Sequence, residues 1–129
     1  MQKHRGFTLI ELLVVLSIIA TLLTLAAPRY FQHVERAREA VLRENLASVR
    51  QAIDQYHADK GLWPATLQEL VDARYLRALP IDPISESNDA WLLQAPPEAA
   101  AGEIADAGVY DLHSGAEGYA SDGTPYAEW

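Results

Sequence analysis

Apolar residues along this chain form first a block and then a stripe. The block is FTLIELLVVLSIIATLLTLAA, Phe7–Ala27, which follows the polar MQKHRG and contains one charged side chain, Glu11. As a helix its 21 residues would span about 31 Å, roughly the thickness of a bilayer's hydrocarbon core. A cleavable secretory signal has a shorter apolar region, roughly 7–15 residues, ending in a small-residue cleavage site. Here the only such exit, Ala26-Ala27, runs directly into Pro28, so the pattern favours a membrane-spanning helix. Lys3 and Arg5 precede it, and positive charge stays on the cytoplasmic side, which places the C-terminal part outside the cytoplasm.

Beyond Pro28 the block gives way to a stripe. Val34, Ala37, Val41, Leu42, Val49, Ile53 and Tyr56, with Leu46 between them, recur at three- and four-residue steps, the signature of one apolar helix face. Glu35, Arg36, Arg38, Glu39, Arg43 and Glu44 take the other faces, where mixed charge reads as a solvated surface. Gly61 and Pro64 end the helix, giving one segment over Phe7–Asp59, about 80 Å long. A domain of this size cannot bury such a helix, so its upper part requires lipid or other subunits. Pro28 removes a backbone hydrogen bond inside it, and both an opened segment around Leu25–Pro28 and a simple bend at the membrane surface fit.

After Gly61, Thr66 and Glu69 have the spacing of a capping box for a short helix carrying Leu67, Leu70 and Val71. Pro80 and Pro83 in LPIDP set turn or extended geometry. Trp91–Leu93 and Val109–His113 are the strand candidates, and the alanine-rich Pro96–Gly108 between them reads as a loop. The fold class is therefore α+β, a long helix whose lower half packs on a small antiparallel sheet. In domain terms the chain divides into a leader over 1–6, a transmembrane helix over 7–27, its continuation over 28–60 and a small globular region over 61–129.

Charge and composition narrow the function. Up to Leu79 the ten Lys and Arg outweigh eight acids; from Pro80 onward there are ten acids and no Lys or Arg. An acidic surface repels phosphates, so a nucleic-acid partner is disfavoured, whereas divalent cations would be attracted. The absence of cysteine excludes disulfides, thiolate metal sites and cysteine nucleophiles. No HExxH, GxSxG, Gly-rich phosphate loop or zinc spacing occurs, and His33 and His57 lie many turns apart. His113 and Ser114 are strand neighbours that point to opposite faces, and an Asp111–Glu117 carboxylate pair is one of many accidental pairings among so many acids. The chain does not read as an enzyme. Glu11 stands out instead, because an acid in a spanning helix costs up to about 2.5–3.5 kcal/mol if fully buried and so requires a partner. It lies one turn after Phe7 on the same face, so an amino group created by cutting between Gly6 and Phe7 could pair with it. Snorkelling to the headgroups fits the residue chemistry equally well.

Lys-His-Arg-Gly-Phe-Thr-Leu-Ile-Glu followed by an apolar run ending in Pro resembles the class III signal of type IV pilins and type II secretion pseudopilins. The resemblance covers Lys3 to about Pro28, and it departs from the family's habit in carrying Ala20 where glycine is frequent. It implies cleavage after Gly6 by a prepilin peptidase, N-methylation of Phe7, and alignment of an incoming subunit by Glu11 through the Phe7 amine of its neighbour. It also implies that the stretch around Pro28 can unwind when subunits enter a filament.

Further along, GLWP…LQEL…YLRALPIDP and VYDLHSGAEG…DG…W are similar to the major, G-type pseudopilins of type II secretion. That resemblance implies a structural subunit anchored in the inner membrane by a single pass, with its C-terminal region in the periplasm. Its partners would be further copies of itself, minor pseudopilins, the prepilin peptidase and an inner-membrane platform protein driven by a cytoplasmic ATPase. The filament would push exoproteins through an outer-membrane secretin. The resemblance further implies a calcium loop, with Glu117 and Asp122 in the matching positions, Ser114 nearby, and glycines at 115, 118 and 123; a plain Gly-rich surface turn is the alternative. A type IV pilus or DNA-uptake pilin shares the N-terminus, though many carry a cysteine-closed loop that this chain lacks. A signal-anchored periplasmic enzyme and a cleaved secretory protein complete the alternatives.

Overall fold

The computed structural model describes residues 1, 5–99 and 107–129; Lys3 and most of the second half of the expected Pro96–Gly108 loop lie outside the described residues. The elements in chain order are helix α1 (Leu9–Lys60), helix α2 (Leu67–Asp72), strand β1 (Trp91–Gln94), strand β2 (Asp111–Ser114) and a 3-10 turn at Tyr126–Glu128. The chain forms two compact units, Met1–Glu35 and Arg36–Trp129.

The first unit is helical from Leu9 onward. The Thr8 hydroxyl accepts the Glu11 N–H at 3.2 Å, closing the first turn as an N-cap should. The helix is 52 residues long, starting two residues later than the sequence pattern suggested, and continues through Pro28. Its most apolar stretch has a mean hydropathy of 2.6 and no buried residue, so it is long and apolar enough to cross a membrane.

In the second unit α1 becomes one wall of a core. Leu42, Leu46, Val49, Ala52, Ile53 and Tyr56 are buried with Leu67, Leu70, Trp91, Val109 and Leu112. This face is rotated slightly from the stripe expected: Val41 remains 51% exposed, because the neighbouring Leu42, about 100° further around, takes the core position. The larger departure is Glu39, which lies in the expected solvated surface yet is only 3% exposed.

The helix stops where a left-handed residue is affordable. Gly61 has φ +74° and its N–H returns to the His57 carbonyl at 2.8 Å, a conformation that glycine alone adopts without steric penalty. Thr66 then caps α2, its side chain accepting the Glu69 N–H at 3.3 Å. The Glu69 carboxylate reaches the Ala65 N–H at 2.8 Å, one residue before the cap itself, and accepts the Tyr56 hydroxyl at 2.6 Å. That bond ties α2 to α1.

The sheet has two antiparallel strands, with Trp91 opposite Ser114, Leu92 opposite His113, Leu93 opposite Leu112 and Gln94 opposite Asp111. Along β2, Leu112 and Ser114 are buried while Asp111 and His113 are partly exposed, the alternation of a strand with one face on a core. The connection before β1 is held by Asp82, fully buried, whose Oδ1 accepts the N–H groups of Ile84 at 2.8 Å and Ser85 at 3.2 Å. The α+β, pilin-like architecture thus combines a long N-terminal helix with a small antiparallel sheet.

Candidate assembly site and C-terminal loop

Two regions carry the residues singled out from the sequence. The first is the start of α1. Gly6 and Phe7 precede the helix and are exposed, Phe7 at 88%. Thr8 and Glu11 form a reciprocal pair: besides the cap, the Glu11 carboxylate accepts the Thr8 N–H at 3.5 Å. The Thr-x-x-Glu spacing of a capping box is visible in the sequence, and it gives the Glu11 carboxylate a local partner in addition to the two expected, the Phe7 amine and the headgroups.

Downstream, the polar side chains of this apolar helix are satisfied within it. The hydroxyls of Ser17, Thr21 and Thr24 donate to the carbonyls of Leu13, Ser17 and Ala20, each at 2.8 Å. Leu9, Leu13, Leu16, Leu22 and Leu25 remain more than half exposed. An exposed apolar surface of this extent calls for lipid or protein around it.

The second region is the loop 115–129. Ser114 does not turn toward it. Its hydroxyl is buried, donates to Asp82 Oδ2 at 2.5 Å and accepts the Ala116 N–H at 3.1 Å. Asp122 is exposed; its Oδ1 accepts both the hydroxyl of Thr124 at 2.6 Å and the N–H of Thr124 at 3.0 Å. Those bonds, with Arg43 beyond, hold its carboxyl below the usual carboxylate range. Glu117 is exposed. No hydrogen bond joins any two of Ser114, Glu117 and Asp122, and among the described residues no group of three His, Asp or Glu side chains could hold a metal ion. A calcium shell takes six to eight oxygen ligands, carbonyl and hydroxyl oxygens among them.

The loop is instead tied to α1 by long-range bonds that the sequence did not reveal. Glu39 accepts the Ser121 N–H at 2.7 Å, the Ser121 hydroxyl at 2.6 Å and the Tyr126 hydroxyl at 3.3 Å. The Arg43 guanidinium stands 3.8 Å from the centre of the Trp129 ring, and its Nη2 is 3.4 Å from Asp122 Oδ2. Arg50 donates to Asp111 Oδ1 at 2.7 Å, to the Leu112 carbonyl at 2.8 Å and to the Trp129 oxygen at 3.0 Å. Asp111 is thereby engaged with Arg50. His113 makes no contact with the Ser114 hydroxyl: its Nδ1 lies 2.7 Å from the Trp129 oxygen and its Nε2 3.1 Å from Gln94 Oε1. His57 stacks flat on Trp63, ring centres 3.7 Å apart.

A capped apolar helix with an acid in its first turn, continuing into an α+β head, defines a pilin-like subunit. Comparison with known proteins agrees. Residues 1–27 match the family described as the prokaryotic N-terminal methylation motif. The type II secretion system core protein G of Escherichia coli K12 is 32% identical over 123 residues, 83% of each chain. That of Klebsiella pneumoniae is 34% identical over 99 residues, covering 64% of this chain and 71% of the relative. The fimbrial protein EcpC of Eikenella corrodens is 39% identical over 64 residues, half of this chain and 42% of that protein. No solved structure gives a significant match. The chain belongs to the type II secretion system core protein G family, the major pseudopilins, and is a structural subunit and not an enzyme.

Proposed function

We propose that this chain is made as an inner-membrane precursor, cut after Gly6, methylated at Phe7, and polymerised through α1 into a periplasmic pseudopilus that drives protein export across the outer membrane. The observation that carries this reading is the methylation motif over residues 1–27, in which every apolar side chain from Phe7 to Ala27 is exposed. That surface is suited first to lipid, in the stored subunit, and then to neighbouring helices, in the filament. Glu11 aligns each incoming subunit by pairing with the Phe7 amine of its neighbour, exchanging its local bond to Thr8 for an ion pair. Minor pseudopilins, the prepilin peptidase and the platform protein are the partners this assembly needs.

Intact mass and N-terminal sequence of the protein extracted from its native membrane test the processing. A chain beginning at methylated Phe7 supports the proposal; one beginning at Met1 or near Pro28 refutes it. Assembly is tested by Glu11→Ala in a reconstituted system, which should leave cleavage after Gly6 intact and abolish filaments. Normal filaments from that variant would remove Glu11 from the mechanism. The likeness to a fimbrial protein over half the chain favours a type IV pilus subunit as second reading. Gene deletion separates them, since loss of exoprotein release marks the pseudopilus and loss of twitching or DNA uptake the pilus.

A further inference from the structure

We infer that the C-terminal loop of this protein is closed onto α1 by Glu39 and Arg43 and takes no divalent cation. The inference rests on the pseudopilin reading only in that this family supplies the calcium alternative.

A calcium site gathers several carboxylate oxygens around one dication. Among loop residues 115–129 the acids are Glu117, Asp122 and Glu128, and all three are exposed. Asp122 is the one built into the loop's hydrogen bonds, and a guanidinium faces it: Arg43 Nη2 lies 3.4 Å from Oδ2. A dication placed on Asp122 would meet this fixed positive charge at close range. Arg43 is itself held in place, because its guanidinium lies over the Trp129 ring at 3.8 Å. The Trp129 indole N–H donates to Thr124 Oγ1 at 2.7 Å, and that hydroxyl donates to Asp122 at 2.6 Å. Arg43, Trp129, Thr124 and Asp122 thus form a closed ring of contacts.

Several of the loop's backbone oxygens are engaged as well. The carbonyls of Gly118, Ala120 and Thr124 accept the N–H groups of Tyr126 at 3.3 Å, Gly123 at 2.9 Å and Ala120 at 2.8 Å. These bonds fold the loop on itself. One turn before Arg43 on the same helix face, Glu39 supplies the second tie through Ser121 and Tyr126. A buried carboxylate accepting three donors is a strong and directional anchor. The ordering that a cation would impose on such a loop is provided here by two helix side chains four residues apart.

The test uses the full-length mature protein in detergent micelles, with tryptophan emission followed on heating in about 1 mM calcium or in EGTA. A cation bound at about 10 µM would raise the midpoint by about 10 °C at that concentration. The expected result is a shift under about 2 °C; a larger, saturable rise with calcium overturns the inference. Arg43→Met keeps much of the stem and removes the charge. It should expose loop 115–129 to limited proteolysis in both buffers, and unchanged protection would overturn the role given to Arg43. Should that variant not fold, the calcium titration of the unaltered protein decides alone. Filament assembly is scored separately: calcium dependence with normal filaments rejects the clamp and leaves the pseudopilin reading standing, whereas calcium independence without filaments does the reverse.

Discussion

Arg50→Met isolates a junction at which three segments of the second unit meet. The arginine leaves α1, pairs with Asp111 at the start of β2, and donates to the backbone oxygens of Leu112 and Trp129 at 2.8 and 3.0 Å. Methionine retains most of the apolar stem, so the loss reports the guanidinium and not the packing. The ion pair is partly exposed, with side chains 37% and 27% accessible, and such pairs contribute about 1 kcal/mol or less. Each carbonyl bond contributes about 1 kcal/mol net, somewhat more from a charged donor. Asp111 is not stranded by the change, because its Oδ1 also accepts the Leu112 N–H at 2.7 Å. The expected destabilisation is therefore about 2–3 kcal/mol. Urea denaturation of the micellar protein, followed by tryptophan emission at about 0.05 and about 0.5 M salt, measures it. Screening weakens only the carboxylate pair, so most of the loss should survive high salt. A loss below about 0.5 kcal/mol, or one that vanishes at high salt, would refute the assignment of the energy to the two carbonyl bonds.

Leu112→Ala empties a fully buried position between helix and sheet and should cost about 2–5 kcal/mol in the same denaturation assay. Gly108→Ala should cost at least about 2 kcal/mol, since φ is +83° and a Cβ there would lie 2.7 Å from the Trp63 Cβ and 2.8 Å from its carbonyl oxygen; loss of the stacked His57–Trp63 geometry, read from tryptophan emission, accompanies it. The acid limb of stability depends on Glu69, whose carboxyl is held below the usual range first by the Tyr56 hydroxyl and then by the Ala65 N–H. A depressed folded value means that this stability is complete above the unfolded carboxyl's pKa, about 4.3, and is lost as pH falls through the folded one. Asp122, lowered by its Thr124 bonds, acts in the same direction. Thermal midpoints between pH 7 and 3 should fall less steeply for Glu69→Gln, and an unchanged slope would exclude that carboxyl as the source.

Local features of the chain were legible where the cause is local. Gly61 ends α1, Thr66 caps α2, and the strands lie within two residues of the segments expected around Trp91 and His113, because caps, helix stops and alternation act over a few residues. Glu39 was not legible. An acid flanked by Arg38 and Arg43 on a helix reads as solvated, and its donors, Ser121 and Tyr126, stand more than eighty residues away. Ser114 misled for the same reason: proximity to Glu117 suggested a shared loop, while its partner Asp82 lies 32 residues upstream in a different turn. A periodic pattern shows which face is covered but not what covers it, and polar residues recruited into a core leave no periodic mark.

The hydroxyls of Ser17, Thr21 and Thr24 are each spent on a carbonyl one turn back in their own helix. With their donors internally engaged, these side chains present to a neighbour little more than their carbon surface and small volume. The stretch of α1 around Ser17–Thr24 is therefore nearly featureless to whatever surrounds it. An acyl chain and an apolar helix are similar environments for it, and rotation or sliding along the axis changes little. A segment so indifferent to its surroundings can leave a bilayer for a protein bundle without breaking a specific bond, and it can carry no address. Any information that fixes where one copy stops against the next must then be written at the polar first turn or in the head.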